Sequence, residues 1–352
     1  MYKKEAAFFS FIDFNLILEY TEMAVSIEDI KKLRHMTGAG MMDCKNALAE
    51  TEGDLQAAIE IIRKKGQAVA AKREDRQAAE GCVLSGVKPG FAAIVALKCE
   101  TDFVAKNESF RALTKQILDA AVAAGAKTLD EVKALDMDGR TVAEHITDEI
   151  GKTGEKMELG AYECIEAASV AGYDHLGNKL ATIVGFNLPD VPAEVGKEIA
   201  MQVAAMNPVA VAREDVPANL IEEEKNVAIE KTKQEQVLKA VEGALRKAGL
   251  NPNHFDSDEH ISSNVTKGWI TEEEAAKGRQ IIAEVSEQKA NNLPEQMIEN
   301  IVKGRINKYY KENCLLEQAY TRDASLTVGQ YLDKEMKGLV VVGFKRVNLN
   351  ED

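Results

Sequence analysis

"KCETDFVAKNESF", residues 98–110, reads as the end of a strand, a turn and the start of a helix. Its odd member is Phe103, a bulky apolar residue placed in the turn between an acid, Asp102, and a base, Lys106. Two readings are open. A Phe at a strand end is ordinarily core, and a Phe that stays outside is a contact waiting for a partner. Lys106 and Asn107 have a structural reading too, as the cap of the helix that follows.

The same grammar extends on both sides. "EGCVLSGVKPGFAAIVALKCET" gives two strands around a Lys88-Pro89-Gly90 turn, and "ESFRALTKQILDAAVAAG" gives a helix. The pattern recurs: "YECIEAASVAGYDHLGNKLATIVGFN" reads as two more strands around a turn, and "VPAEVGKEIAMQVAAMNP" as another helix. Two strand, turn, strand, helix units suggest an internal duplication, each with an apolar sheet face for helices to cover.

Upstream, residues 26–66 read as three short helices. Ser26 with Asp29 opens the first, and Thr37-Gly38-Ala39-Gly40 breaks the chain. The second runs from Met42 to Glu50, and Asp54 caps the third, with Gly66 as its stop. A bundle of about 40 residues lies near the lower limit of independent stability.

Downstream of Pro208 the composition shifts to long charged helices. "NLIEEEKNVAIEKTKQEQVLKAVEGALRKAGL" is the first, and residues 251–268 read as a loop. Thr271 with Glu274 caps the next helix, and Pro294 starts another. Narrow apolar stripes with charged flanks suit an antiparallel helical arm. The chain closes with a helix over 328–337 and a strand, "GLVVVGFKRVNL", that returns to the sheet.

Composition narrows the function. The net charge of −14 opposes nonspecific binding to phosphate backbones, so direct nucleic-acid binding is not expected. The basic cluster Arg63–Lys65 with Lys72, Arg73 and Arg76 reads as a solvated helix end and linker. Five cysteines without a CxxC pair indicate free thiols in a reducing cytoplasm, without a disulfide framework or zinc site. The N-terminal "AAFFSFIDFNLILEY" is too short and too polar for a membrane span. Residues 1–22 stand either as an amphipathic extension or as an upstream reading of a start at Met23.

Site motifs are scarce. "GKTGEK", residues 151–156, resembles the end of a phosphate-binding loop, but Ile146 stands where that motif needs Gly, and helical spacing precedes it. Gly151 therefore reads as a helix stop. The five histidines lack metal-ligand spacing, and no nucleophile has a local activating signature, so no cofactor is expected and the protein is not expected to be an enzyme. A large ordered acidic chain without a site motif points to a protein whose chemistry is done on a partner.

"IKKLRHMTGAGMMDCKNALAETEGDLQAAIEIIRKKG" resembles the ubiquitin-associated-type (UBA-like) module of the bacterial elongation factor Ts family, and "KCETDFVAKNESF" resembles the signature that opens its core. "EIAMQVAAMNP", "EDVPANLIEEEK" and "SLTVGQYL" resemble later segments in the same order. The resemblance implies an α+β fold. It comprises an N-terminal three-helix UBA-like module over 23–70 and a duplicated antiparallel-sheet-plus-helices core over 80–210, completed by 314–352. An inserted antiparallel helical, coiled-coil arm spans 211–313 and is enlarged at about 236–290 relative to the family, where a solvated spacer is expected.

The function it implies is guanine-nucleotide exchange on elongation factor Tu in translation elongation. Thr101, Asp102, Phe103 and Val104 would face the partner's GTPase domain, with Phe103 as a wedge and Asp102 perturbing the Mg²⁺ environment from outside. The module would dock on the same domain with Arg34, Thr37, Gly38, Gly40, Met41 and Met42 on or near the contact, although the glycines could only shape the turn and Met42 could be core. Lys106, Asn107 and His175 complete the expected contacts, His175 toward another domain of the partner. The rival readings are a UBA-type adaptor without exchange activity and an NTPase using residues 151–153.

Overall fold

The computed structural model describes residues 25–351, so the expectation for residues 1–22 lies outside the described residues. The described residues form two compact units, one of residues 25–207 together with 332–351, the other of residues 208–331.

The first unit begins with three helices, α1 (Ile27–Thr37), α2 (Met41–Glu50) and α3 (Leu55–Arg73). Ser26 caps α1 by accepting from Glu28 N–H, Gly38 ends it at φ +69°, and Asp54 caps α3 by accepting from the N–H groups of Gln56 and Ala57. Leu33, Cys44, Leu48 and Ala58 close a small core among them. Helix α3 does not stop at Gly66. It continues to Arg73 because Gly66 is buried in a crossing with a second glycine, Gly151.

The core follows as β1 (Glu80–Lys88), β2 (Phe91–Cys99), the one-turn α4 (Asp102–Ala105), α5 (Glu108–Ala124), α6 (Leu129–Ala134), the two-residue strands β3 (Asp136–Met137) and β4 (Arg140–Thr141), and α7 (Val142–Thr153). Then come β5 (Met157–Glu166), β6 (Ser169–Asp174), β7 (Leu180–Phe186) and α8 (Ala193–Met206). The second strand segment therefore holds three strands where the sequence suggests two. The first of them, β5, pairs antiparallel with β2 and completes the order β1-β2-β5. The second sheet has the order β6-β7-β10, with β10 (Val341–Asn348) returning from the far end of the chain to pair with β7.

Each sheet is thus a hairpin followed by a helix, joined by a third antiparallel strand. Covering is not by helices alone. Along β2, Ala93, Val95 and Leu97 face a core shared with α5 and α7, while Ala92, Ile94 and Ala96 face Ala181 and Ile183 of β7. The layers run helix, sheet, sheet, helix, and a strand covered on both faces reads as a continuous apolar run.

The second unit holds α9 (Ala218–Lys247), α10 (Asp258–Thr266), α11 (Glu272–Asn291) and α12 (Glu295–Asn313), the small hairpin β8 (Ala319–Tyr320) and β9 (Asp323–Thr327), and the start of α13 (Val328–Glu335). Helix α9 runs antiparallel to α12 along its first half, burying Ala228, Val302 and Ile306. Along its second half it meets α11. Helix α10 lies in what the sequence gives as a loop: Ser257 caps it by accepting from His260 N–H, and Ile261 buries beside Val241, Leu245, Phe255 and Ala275. The expected solvated spacer therefore contains a packed core. No helix among the described residues is long and apolar enough to cross a membrane.

Candidate functional site

Where β2 ends, Thr101 leaves the sheet in extended conformation and becomes the N-cap of α4, its hydroxyl accepting from Val104 N–H at 3.4 Å. The same hydroxyl donates to Glu155 Oε1 at 2.7 Å, and Thr101 N–H donates to Glu155 Oε2 at 3.1 Å. Thr101 carbonyl accepts from Ala105 N–H at 3.2 Å and from the Cys99 thiol at 3.3 Å. Burial, aided by the Glu155 and Glu80 carboxylates, pushes that thiol up to about 12, so it stays protonated and able to donate. Ala105 is buried and Val104 packs on the core below.

Phe103 does not enter that core. Its side chain is 83% exposed, the opposite of a core Phe such as Phe110, which is fully buried one turn into α5. Asp102, also outside, accepts from Lys106 Nζ at 2.6 Å, and the ammonium holds its carboxyl below the usual range. Asn107 caps α5, accepting from Ser109 N–H at 3.0 Å. Of the two residues read as a cap for the following helix, Asn107 caps it and Lys106 does not, its ammonium being paired with Asp102 instead.

Asp102 and Lys106 line one side of a groove of about 340 Å³ whose other side is the β6–β7 turn, His175, Leu176 and Gly177. The turn closes through Asn178 N–H to His175 O at 3.0 Å, with Gly177 at φ +94°. His175 Nδ1 bonds the Tyr173 hydroxyl at 2.9 Å, which leaves Leu176 at the tip, 94% exposed. The fold thus brings His175 beside the Phe103 turn, and the residue that projects is Leu176, which the sequence reading missed. Its signal was the one that flagged Phe103: a large apolar residue in a glycine-containing turn.

In the N-terminal module, Met41 and Met42 are exposed, so Met42 is not core, and Met36, unremarked in the sequence, is exposed as well. Unbranched thioether side chains on a surface suit an adaptable apolar contact. Arg34 is exposed and its carbonyl accepts from Gly38 N–H at 2.7 Å. Thr37 is turned inward, donating to Leu33 O at 2.8 Å and accepting from Ala39 N–H at 3.3 Å. Gly38 is required locally by its positive φ, and the Lys152 side chain of α7 lies over it, its Cδ 2.9 Å from where a Cβ would sit. Gly40 caps α2 in ordinary extended backbone.

The remaining motifs resolve into structure. Gly151 lies inside α7, and the helix stop is Gly154 at φ +71°. A phosphate-binding loop needs a free helix N-terminus, and here the glycine is near a C-terminus. Arg73 and Arg76 of the basic cluster pair with Glu100, Arg63 with Glu60, and Lys65 with Asp43. Among the described residues no group of three or more His, Cys, Asp or Glu is arranged to hold a metal ion.

A family model described as "Elongation factor TS" matches residues 100–251 and 244–351. Curated elongation factor Ts proteins from Bacteroides fragilis and Parabacteroides distasonis are each 57% identical over 331 residues, 94% of this chain and 100% of the relative. That of Porphyromonas gingivalis is 50% identical over the same coverage. With 331 of 352 residues aligned, the segment at 236–290 is no addition peculiar to this chain. The chain belongs to the elongation factor Ts family.

Proposed function

We propose that this exchange factor for elongation factor Tu works through the turn Thr101–Val104, with Phe103 as the wedge and the 175–177 turn and the N-terminal methionines as flanking contacts. The observation that carries the reading is the combination of an 83% exposed Phe103 with a backbone pinned on both sides by Thr101 and Ala105. An exposed aromatic on a turn whose backbone is already fixed presents apolar area without a backbone ordering cost at binding, which is the profile of a binding anchor.

Nucleotide and Mg²⁺ in the partner hold one another through charge and ordered switch loops, so a wedge that shifts those loops weakens both at once. Asp102 is ionised and held by Lys106, and it adds negative charge at the edge of the Mg²⁺ environment without acting as a tight ligand. By linkage, a factor that lowers nucleotide affinity is itself bound less tightly by the nucleotide-loaded partner, so GTP entry releases it. The protein performs no covalent chemistry in this scheme.

The test is stopped-flow release of fluorescent GDP from elongation factor Tu. The native chain accelerates release, and Phe103→Ala, which leaves the core untouched, slows it by about tenfold or more, the loss expected of an anchor worth over ~1.4 kcal/mol. Partner binding without accelerated release would instead favour an adaptor.

A further inference from the structure

We infer that Glu155 is a positioning residue for nucleotide exchange: its carboxylate clamps Thr101 so that α4 holds Phe103 in the attitude that meets the partner. The inference rests on the wedge reading of Phe103.

A helix of one turn cannot hold itself, because nucleation fixes several dihedrals for a single hydrogen bond. Helix α4 has four residues, and its exposed member, Phe103, has no packing to fix it. Its attitude is set at Thr101. Each Glu155 oxygen takes one Thr101 donor, Oε2 the N–H and Oε1 the hydroxyl. Because the hydroxyl proton is committed to Glu155, its lone pair is left to accept Val104 N–H and cap the helix. The neighbouring residues mirror the arrangement, with Lys156 N–H donating to Glu100 Oε1 at 2.7 Å. These bonds continue the β2–β5 pairing past its last register pair, Cys99 with Met157.

Glu155 directly follows the Gly154 stop of α7, the helix that also seats the N-terminal module through Gly151 and Lys152. One short stretch, 151–155, therefore touches the supports of both proposed contact surfaces. Sequence gives no hint of this, since Glu155 is separated from Thr101 by more than fifty residues and sits in a segment that mimics a phosphate loop.

The test is a double-variant cycle on GDP release from elongation factor Tu, using the full chain. Glu155→Ala is expected to slow release about tenfold while circular dichroism stays native, and to slow it less than about twofold further in a Phe103→Ala background, because both changes remove one function. Thr101→Val should reproduce the loss and Thr101→Ser should restore the rate. These two variants carry the test if Glu155→Ala fails to fold. Native rates for Glu155→Ala, or an equal slowing in both backgrounds, would overturn the positioning role while leaving the wedge intact. If Phe103→Ala itself released GDP at the native rate, the wedge reading would fall and this inference with it.

Discussion

Gly66 and Gly151 pack backbone to backbone, and a Cβ added to Gly151 would lie 3.0 Å from Gly66 Cα. The contact is asymmetric: a Cβ on Gly66 would meet Gly151 Cα at an ordinary 3.5 Å. Gly66→Ala should therefore be neutral or stabilising by up to ~1 kcal/mol through helix propensity. Gly151→Ala must push the two helices apart and should cost about 1 kcal/mol or more. Thermal unfolding of the two variants checks the asymmetry, and equal effects would refute it.

The same pair marks where sequence reading fails. A glycine after a helical run is the signal for a stop, and Gly38 and Gly125, at φ +69° and +67°, are stops. Gly66 and Gly151 give the same local signal, but each is explained by a partner far along the chain. Strand pairing was legible only in part for a like reason. The hairpins follow from local turn chemistry, whereas β5 joining β2 rather than β6 depends on long-range register. Helix α10 was lost because nine residues of modest polarity show their periodicity only once Ile261 has a core to enter.

At alkaline pH the buried thiols should govern stability. Burial pushes Cys82 up to about 11 and Cys99 up to about 12, whereas in the unfolded chain thiols ionise near ~8.5. Above that value the unfolded state binds fewer protons than the native state. Stability is thus fully present below ~8.5 and falls as pH rises toward the native values, by at most ~1.4 kcal/mol per pH unit for each thiol. Urea melts between these limits should show the slope, and Cys99→Ala should reduce it by one thiol's share. An unchanged slope in the variant would assign the loss to other groups.

Leu176 offers a contact that can be separated from folding. Its side chain is 94% exposed and touches no core, so Leu176→Ala should leave the unfolding temperature unchanged. Burying a leucine in a partner is worth about 1.5–3 kcal/mol, so the affinity for elongation factor Tu should drop about tenfold or more. His175→Ala should have the smaller effect on affinity, since that ring is engaged with Tyr173. Calorimetric titration distinguishes the two, and the reverse order would make His175 the contact and Leu176 a bystander.

The segment 236–290 should be removable from exchange even though it carries its own packed core. Phe255 lies against Gly278 so closely that an added Cβ would fall 2.0 Å from its ring, so Gly278→Ala must expel the ring from a cluster that includes Val241, Leu245, Ile261 and Ala275. The expected cost is about 1–3 kcal/mol, visible as faster amide exchange confined to that cluster. Replacing 236–290 by a short Gly-Ser linker removes the cluster altogether but leaves residues 218–235 of α9 paired with α12 through Ala228, Val302 and Ile306. Both changes leave Phe103, Leu176 and the methionine face in place, so GDP release should stay within about twofold of the native rate. A larger loss in the linker variant with a native rate in Gly278→Ala would mean that the arm contributes a surface. A larger loss in both would mean that its packed core is needed to present that surface.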